Sequence, residues 1–276
     1  KKCKIIWIHM TRIKEKFTEL DAKKEKALIA YIMVGYPNEN VTLAAVKGLI
    51  KGGADIIELG FPFSDPLADG PMIQNASTIS LEAGTKINKF FNIVKKIRKE
   101  TDIPLVLMTY TNILYHMGYP KFIAKSKKAG IDGIILPDMS VEESKEYSAS
   151  AKNKIDTIFL ISPNTTKSRI EKISKSSSGF LYLVAVYGTT GVKTGIQSYT
   201  LKAIKDVKKI TKGKIPIGVG FGVSTPDDVR KYIKVGADAV IVGSAFLKII
   251  KNTTQSKIES RIESFTKSLK SQTKLR

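Results

Sequence analysis

Two carboxylates and three glycine-rich turns are the residues of this chain best suited to chemistry. Glu58 interrupts the apolar run Ala54–Leu59 near its C-terminal end. The stretch Gly60-Phe61-Pro62-Phe63-Ser64-Asp65-Pro66-Leu67-Ala68-Asp69-Gly70-Pro71 follows, with two aspartates set among prolines. A charge inside a buried strand is costly unless it is paired or used. Glu58 is therefore either satisfied by neighbouring donors or placed to move protons. The prolines stiffen the loop and allow it to aim a carboxylate inward. Asp65 and Asp69 serve equally well as turn formers beside proline and glycine, and the pattern does not separate them.

Other chemistries lack their residues. His9 and His116 are the only histidines, which disfavours a Ser-His-Asp triad or a multi-histidine metal site. His116, in the polar and aromatic stretch Asn112–Gly118, reads as a surface residue. Cys3 is the only cysteine, so no disulfide forms within the chain and a thiol metal site is disfavoured. Lysines avoid the apolar runs, which argues against an imine-forming aldolase. Proton transfer then falls to carboxylates, with tyrosine in support. The turns Gly188-Thr189-Thr190-Gly191, Gly220-Phe221-Gly222 and Gly243-Ser244 suit an anion, because glycine lets backbone N–H groups approach a phosphate closely. Asp138, after Leu136-Pro137, either lines the same pocket or caps its turn.

These residues must be positioned by the elements around them. Eight short apolar runs recur: Leu28–Val34, Ala54–Leu59, Pro104–Thr109, Asp132–Leu136, Thr157–Ile161, Phe180–Val186, Pro216–Gly220 and Ala237–Val242. Their near-continuous hydrophobicity predicts parallel strands buried on both faces. Amphipathic helices are predicted between them over Val41–Lys51, Lys89–Glu100, Pro120–Ala129, Val141–Ala151, Thr200–Thr211 and Pro226–Val235. Ala245–Lys251 is a further helical segment. Ser140 with Glu143 resembles a capping box, and Thr225-Pro226 places a cap before a first-turn proline. The repeat Gly53-Ala54-Asp55, Gly130-Ile131-Asp132 and Gly236-Ala237-Asp238 marks successive helix-to-strand joins of a βα repeat protein. No G-x-G-x-x-G follows the first strand, and glycine turns follow the last three, which favours a closed (β/α)8 barrel over an open doubly wound sheet. Lys14–Leu20 is an extra N-terminal helix, and Lys257–Lys270 a final one.

The 276 residues suit one such barrel. Residues 1–9 are expected to be a poorly ordered extension and 10–276 the barrel, with no secretory leader in the opening stretch. No apolar run approaches the ~20 residues of a spanning helix. The net charge of +21 invites a nucleic-acid reading. The lysines are spread along the chain without interleaved aromatics, so a solvated surface that also steers an anionic substrate is the better account.

The run Glu58–Pro71 resembles the signature of the tryptophan synthase α subunit family. The similarity continues through Ile73–Ala76, Tyr110-Thr111-Asn112, Val141–Ser144, Gly188–Gly191, Gly220–Gly222 and Gly243–Ala245, and so spans about Met10 to Lys270. The resemblance implies retro-aldol cleavage of indole-3-glycerol phosphate to indole and glyceraldehyde-3-phosphate in tryptophan biosynthesis. It further implies that Glu58 is the acid/base and that Asp69, rather than Asp65, stabilises positive charge on the indole nitrogen. By the same resemblance Tyr31, Tyr182, Thr190 and Phe221 contact substrate, and Gly191, Gly222, Gly243 and Ser244 bind its phosphate. Strand aromatics such as Tyr31 are otherwise plain core. The chain itself is then expected to need no metal or cofactor. Its partner would be a β subunit carrying pyridoxal phosphate, in an α2β2 heterotetramer, with no nucleic acid or membrane involved. The location implied is cytoplasmic, with a plastid as the alternative. Ser140, where relatives usually have proline, and Lys193 depart from the family pattern. Competing readings are another phosphate-binding barrel enzyme, a barrel that has lost catalysis, and a basic nucleic-acid binder.

Overall fold

The structure is a computed structural model that describes residues 10–185 and 197–274. The strands among these residues are β1 (Ala27–Met33), β2 (Ile56–Gly60), β3 (Leu105–Met108), β4 (Gly133–Ile135), β5 (Asp156–Ile158), β6 (Leu160–Ile161), β7 (Leu181–Val184), β8 (Ile217–Gly220) and β9 (Ala239–Val242). The helices are α1 (Arg12–Ala22), α2 (Glu39–Gly52), α3 (Pro71–Glu82), α4 (Ile87–Glu100), α5 (Thr111–Met117), α6 (Tyr119–Ala129), α7 (Lys145–Ala151), α8 (Lys167–Ser176), α9 (Ser198–Thr211), α10 (Pro226–Val235), α11 (Ser244–Lys251) and α12 (Ile258–Lys270).

The sheet runs β5-β4-β3-β2-β1-β9-β8-β7-β6, and every pairing is parallel. Its two edge strands, β5 and β6, are halves of one stretch of chain interrupted at Phe159. β5 bonds to β4 and β6 to β7, while the Phe159 carbonyl accepts the Tyr182 N–H at 3.0 Å. The expected single strand over Thr157–Ile161 is thus split, because it must hand its hydrogen bonds from one neighbour to the other. This closes eight staves into a barrel. Strand side chains are buried almost throughout, each fully buried Val, Leu or Ile contributing about 1.5–3 kcal/mol.

Helix α1 covers the end of the barrel where the strands begin. Ile13 packs beside Gly133 and Gly179, and the Phe17 ring lies 6.2 Å from that of Phe180. The repeated Gly-x-Asp joins sit at this lower end. Asp55 accepts the Leu28 N–H at 2.8 Å and returns its own N–H to the Leu28 carbonyl. Asp132 does the same with Leu105, and Asp238 with Ile217. Each aspartate therefore stitches the start of its strand to the strand before it. Each is also met by a cation: Lys270 at 2.8 Å from Asp55, Arg98 at 2.7 Å from Asp132, and Lys208 at 2.9 Å from Asp238.

The helices follow the expected pattern with two exceptions. The Ser140–Glu143 contacts form, but they close a turn, and α7 begins only at Lys145. Three helices, α3, α5 and α8, were not signalled by an apolar stripe. The buried face of α3 is Ile73, Ala76, Ser77 and Ser80, too small and polar to read as a core face. At α10 the capping box is complete, with Thr225 and Asp228 satisfying each other's backbone N–H groups.

Candidate active site

At the opposite, upper end of the barrel, the register aligns Tyr31 of β1 with Glu58 of β2. Glu58 is 1% exposed, and its Oε2 has no hydrogen-bond partner among the described residues. Burial, and then the charge of Asp69, push its carboxyl up from the usual carboxylate range to about 8.

The loop after β2 is pinned at both ends. Ser77 of α3 accepts the Phe63 N–H at 2.7 Å and donates to the Phe63 carbonyl at 2.8 Å. Gln74 donates to the Asp69 carbonyl at 2.9 Å. The Tyr110 hydroxyl, just beyond β3, accepts the Ala68 N–H at 3.2 Å and donates to Asp69 Oδ2 at 3.0 Å. Asp69 is consequently buried, at 4% exposure, and its Oδ1 has no partner among the described residues. Burial raises it to about 6, with the Tyr110 hydrogen bond opposing the shift. Asp65, by contrast, is exposed and takes a hydrogen bond from Ser64.

Tyr31 and Tyr182 complete the surroundings of the pair. Both are held as neutral phenols by burial and by the charges of Glu58 and Asp69. Their rings need neighbours without side chains. A Cβ on Gly60 would sit 2.3 Å from the Tyr31 hydroxyl, and one on Gly220 at the same distance from that of Tyr182. Phe221 packs edge-on against Tyr182 with centroids 5.8 Å apart. Its backbone is left-handed, at φ +67°, followed by Gly222 at +81°. Such strain in a non-glycine residue is characteristic of functional loops.

Gly243 precedes the N-terminus of α11, which has no side-chain cap. A cleft of about 830 Å³ reaches Ser244 there and is lined by Lys248 and Arg261, with no carboxylate. A larger hollow of about 1150 Å³ lies at the lower end beside Arg12 and Asp156, and none of the candidate residues lines it. Thr190 and Gly191 fall outside the described residues, as does Lys193.

Two alternatives left open by the sequence resolve. Asp138 is exposed and accepts both the N–H and the hydroxyl of Thr111, so it caps α5. His116 is exposed on α5. Among the described residues, no three His, Cys, Asp or Glu side chains are grouped to hold a metal ion, and no helix is long and apolar enough to cross a membrane. Tyr110 is the residue that sequence reasoning missed. Its signals were its place just beyond an apolar run, where barrel enzymes put their functional groups, and the family-like segment Tyr110-Thr111-Asn112 that contains it.

With two buried carboxylates converging beneath a stiff loop, the arrangement can give and take protons at one ligand while holding negative charge at a second point. Comparisons with known proteins agree in one direction. The sequence profile described as tryptophan synthase alpha chain matches residues 17–274. The alpha chain of Methanosarcina barkeri is 47% identical over 261 residues, covering 94% of this chain and 96% of the relative. That of Carboxydothermus hydrogenoformans is 42% identical, covering 91% and 93%. Among solved structures, Mycobacterium tuberculosis tryptophan synthase superposes with a TM-score of 0.86 at 30% identity, covering 97% of this chain and all of that one. The α2β2 tryptophan synthase complex of Pyrococcus furiosus gives 0.83 at 38% identity, covering 89% and 98%.

Proposed function

The chain belongs to the tryptophan synthase alpha chain family, and from that premise we propose that Glu58 and Asp69 are the two carboxylates with which it cleaves indole-3-glycerol phosphate. The carrying observation is their joint burial at the upper end of the barrel, with one oxygen of each unpartnered among the described residues. Buried polar atoms are almost always satisfied, so an orphaned one calls for an explanation, and two carboxylate oxygens at the end of the barrel where such enzymes bind substrate fit the donors of a ligand.

The chemistry follows from their different environments. Glu58, protonated at neutral pH, gives its proton to the ring carbon that bears the side chain. The ring becomes an indolenine cation, and Asp69 accepts a hydrogen bond from the ring N–H that now carries positive charge. The bond between that ring carbon and the side chain then breaks, its electron pair returning to the ring as indole. The adjacent hydroxyl surrenders its proton to the Glu58 carboxylate and becomes the aldehyde of glyceraldehyde-3-phosphate. Glu58 ends as it began, and the ring itself serves as the electron sink, so the step needs no cofactor in this chain.

In this reading Tyr31, Tyr182 and Phe221 enclose the indole. Gly222, Gly243 and Ser244, with Gly191 from outside the described residues, receive the phosphate, and Thr190, also outside them, is a further substrate contact. The uncapped N-terminus of α11 offers free N–H groups, whereas that of α10 is already satisfied by its own box. Residues 10–276 act as one barrel behind a short extension. The partner is a β subunit that holds pyridoxal phosphate and uses the indole, in an α2β2 assembly in the cytoplasm. Supplying indole-3-glycerol phosphate and measuring indole release tests the reading. Slow release by the chain alone and faster release with a β subunit are expected, and no release under either condition overturns it.

A further inference from the structure

We propose that Tyr110 is a positioning residue that holds Asp69 inward and ionised, and thereby decides which of the two buried carboxylates carries the negative charge. The inference rests on the reading of Glu58 and Asp69 as the reacting pair.

One side chain reaches both ends of the loop after β2. The Tyr110 hydroxyl takes the Ala68 N–H and gives its proton to Asp69 Oδ2, so it grips two consecutive residues. Its ring stacks on Phe63, with centroids 4.9 Å apart and planes at 24°. Phe63 is in turn locked by both backbone bonds to Ser77. The carboxylate is therefore aimed by a strut running from β3 through the loop to α3, and no contact in it depends on a ligand.

The strut also breaks the symmetry between two buried acids. A phenol O–H bonds a carboxylate more strongly than a neutral carboxyl in the same place, so its donation favours charge on Asp69. Glu58 Oε2 meets no donor among the described residues. Among the described residues the other titratable groups around the pair are Tyr31 on β1 and Tyr182 on β7, both kept neutral. Asp138 beyond β4 faces Tyr110 from the solvent side and, like Asp69, raises its phenol, which keeps the donor protonated. Desolvation alone would push both carboxyls up; Tyr110 restrains only Asp69, at about 6, while Glu58 rises to about 8. Between those values the anion sits where the ring nitrogen is to be met, and the proton where the ring carbon is to be protonated. Without the hydroxyl that gap narrows, and a growing share of molecules hold the pair in the wrong state.

Tyr110→Phe keeps the ring on Phe63 and removes only the hydroxyl. The primary readout is the titration of the Asp69 carboxyl in the unliganded whole chain, followed by ¹³C NMR of labelled aspartate and identified by its loss in Asp69→Asn. The expected result is an upward shift of about one pH unit in Tyr110→Phe. Fluorotyrosine placed at position 110 keeps the shape while strengthening the donor, and it should move the titration downward instead. In turnover, the acid limb of kcat/KM should rise with the Asp69 titration, and kcat at pH 6.5 should fall roughly threefold with little change in KM. An Asp69 titration that does not move in either variant overturns the proposal. So does a lower kcat with an unmoved acid limb, which would make Tyr110 a structural prop. The NMR readout needs no substrate, so it stands apart from any failure of the assigned reaction.

Discussion

At the lower end of the barrel Asp132 lies between Arg98 at 2.7 Å and Arg12 at 3.0 Å, and it also takes the Leu105 N–H. At the upper end Glu58 is buried more deeply still, yet among the described residues one of its oxygens faces no donor, and Asp69 has a single phenol. Asp55 and Asp238 repeat the lower arrangement with lysines. Asp156 departs from this pattern at the same end: its Oδ2 has no partner among the described residues and burial raises its carboxyl, with the Thr11 and Ser178 hydroxyls opposing the shift. Asp55, Asp132 and Asp238 are neutralised and tie strand to strand. The upper ones are desolvated with no cation beside them among the described residues, and Asp69 alone has a donor, a state the fold tolerates only at a cost. The difference teaches where to look for chemistry in such a barrel: at the buried charge that the fold has left unsatisfied, not at the buried charge as such.

The largest expected stability effect lies at the lower end. Asp132→Ala leaves Arg98 and the Leu105 N–H without their partner and should cost about 3–5 kcal/mol by denaturant unfolding. The folded fraction should keep its kcat. An equal loss of kcat would erase the division between the two ends.

A smaller effect of opposite sign is expected above. Glu58 keeps its proton up to about pH 8 when folded but loses it near its ordinary 4.5 when unfolded. Rising pH across that window draws protons off the unfolded chain and so lowers stability; below 4.5 the penalty is absent, and above 8 it is constant. Glu58→Gln should therefore be more stable than the parent by about 1–3 kcal/mol at pH 8, after allowing for the amide's own unmet bonds, and equal to it near pH 4. A destabilised Glu58→Gln at pH 8 would mean that the carboxylate is structurally paired after all.

The two ends also differ in how far they could be read from sequence. The strands were legible because each is apolar throughout, and the Gly-x-Asp repeat marked the lower joins correctly, although only the structure shows that each aspartate bonds backward to the preceding strand. The break at Phe159 left no trace, since buried residues flank it on both sides. Helix α3 hid because serines and alanine form its inner face. At the upper end Glu58 stood out as a charge in an apolar run. Asp69 did not stand apart from Asp65, because what turns it inward is Tyr110, 41 residues further along the chain. Local pattern carries no record of a contact between two loops. Phe221 likewise gave no hint of its left-handed backbone.

The central claim is that the unsatisfied carboxylates perform the cleavage, and its most direct test is indole release from indole-3-glycerol phosphate by Glu58→Gln and Asp69→Asn, at matched folded fraction. The account predicts a loss of about 10²–10⁴-fold in kcat for Glu58→Gln and about 10²–10³-fold for Asp69→Asn, with both proteins folded. Turnover at the parent rate in folded Glu58→Gln would contradict it.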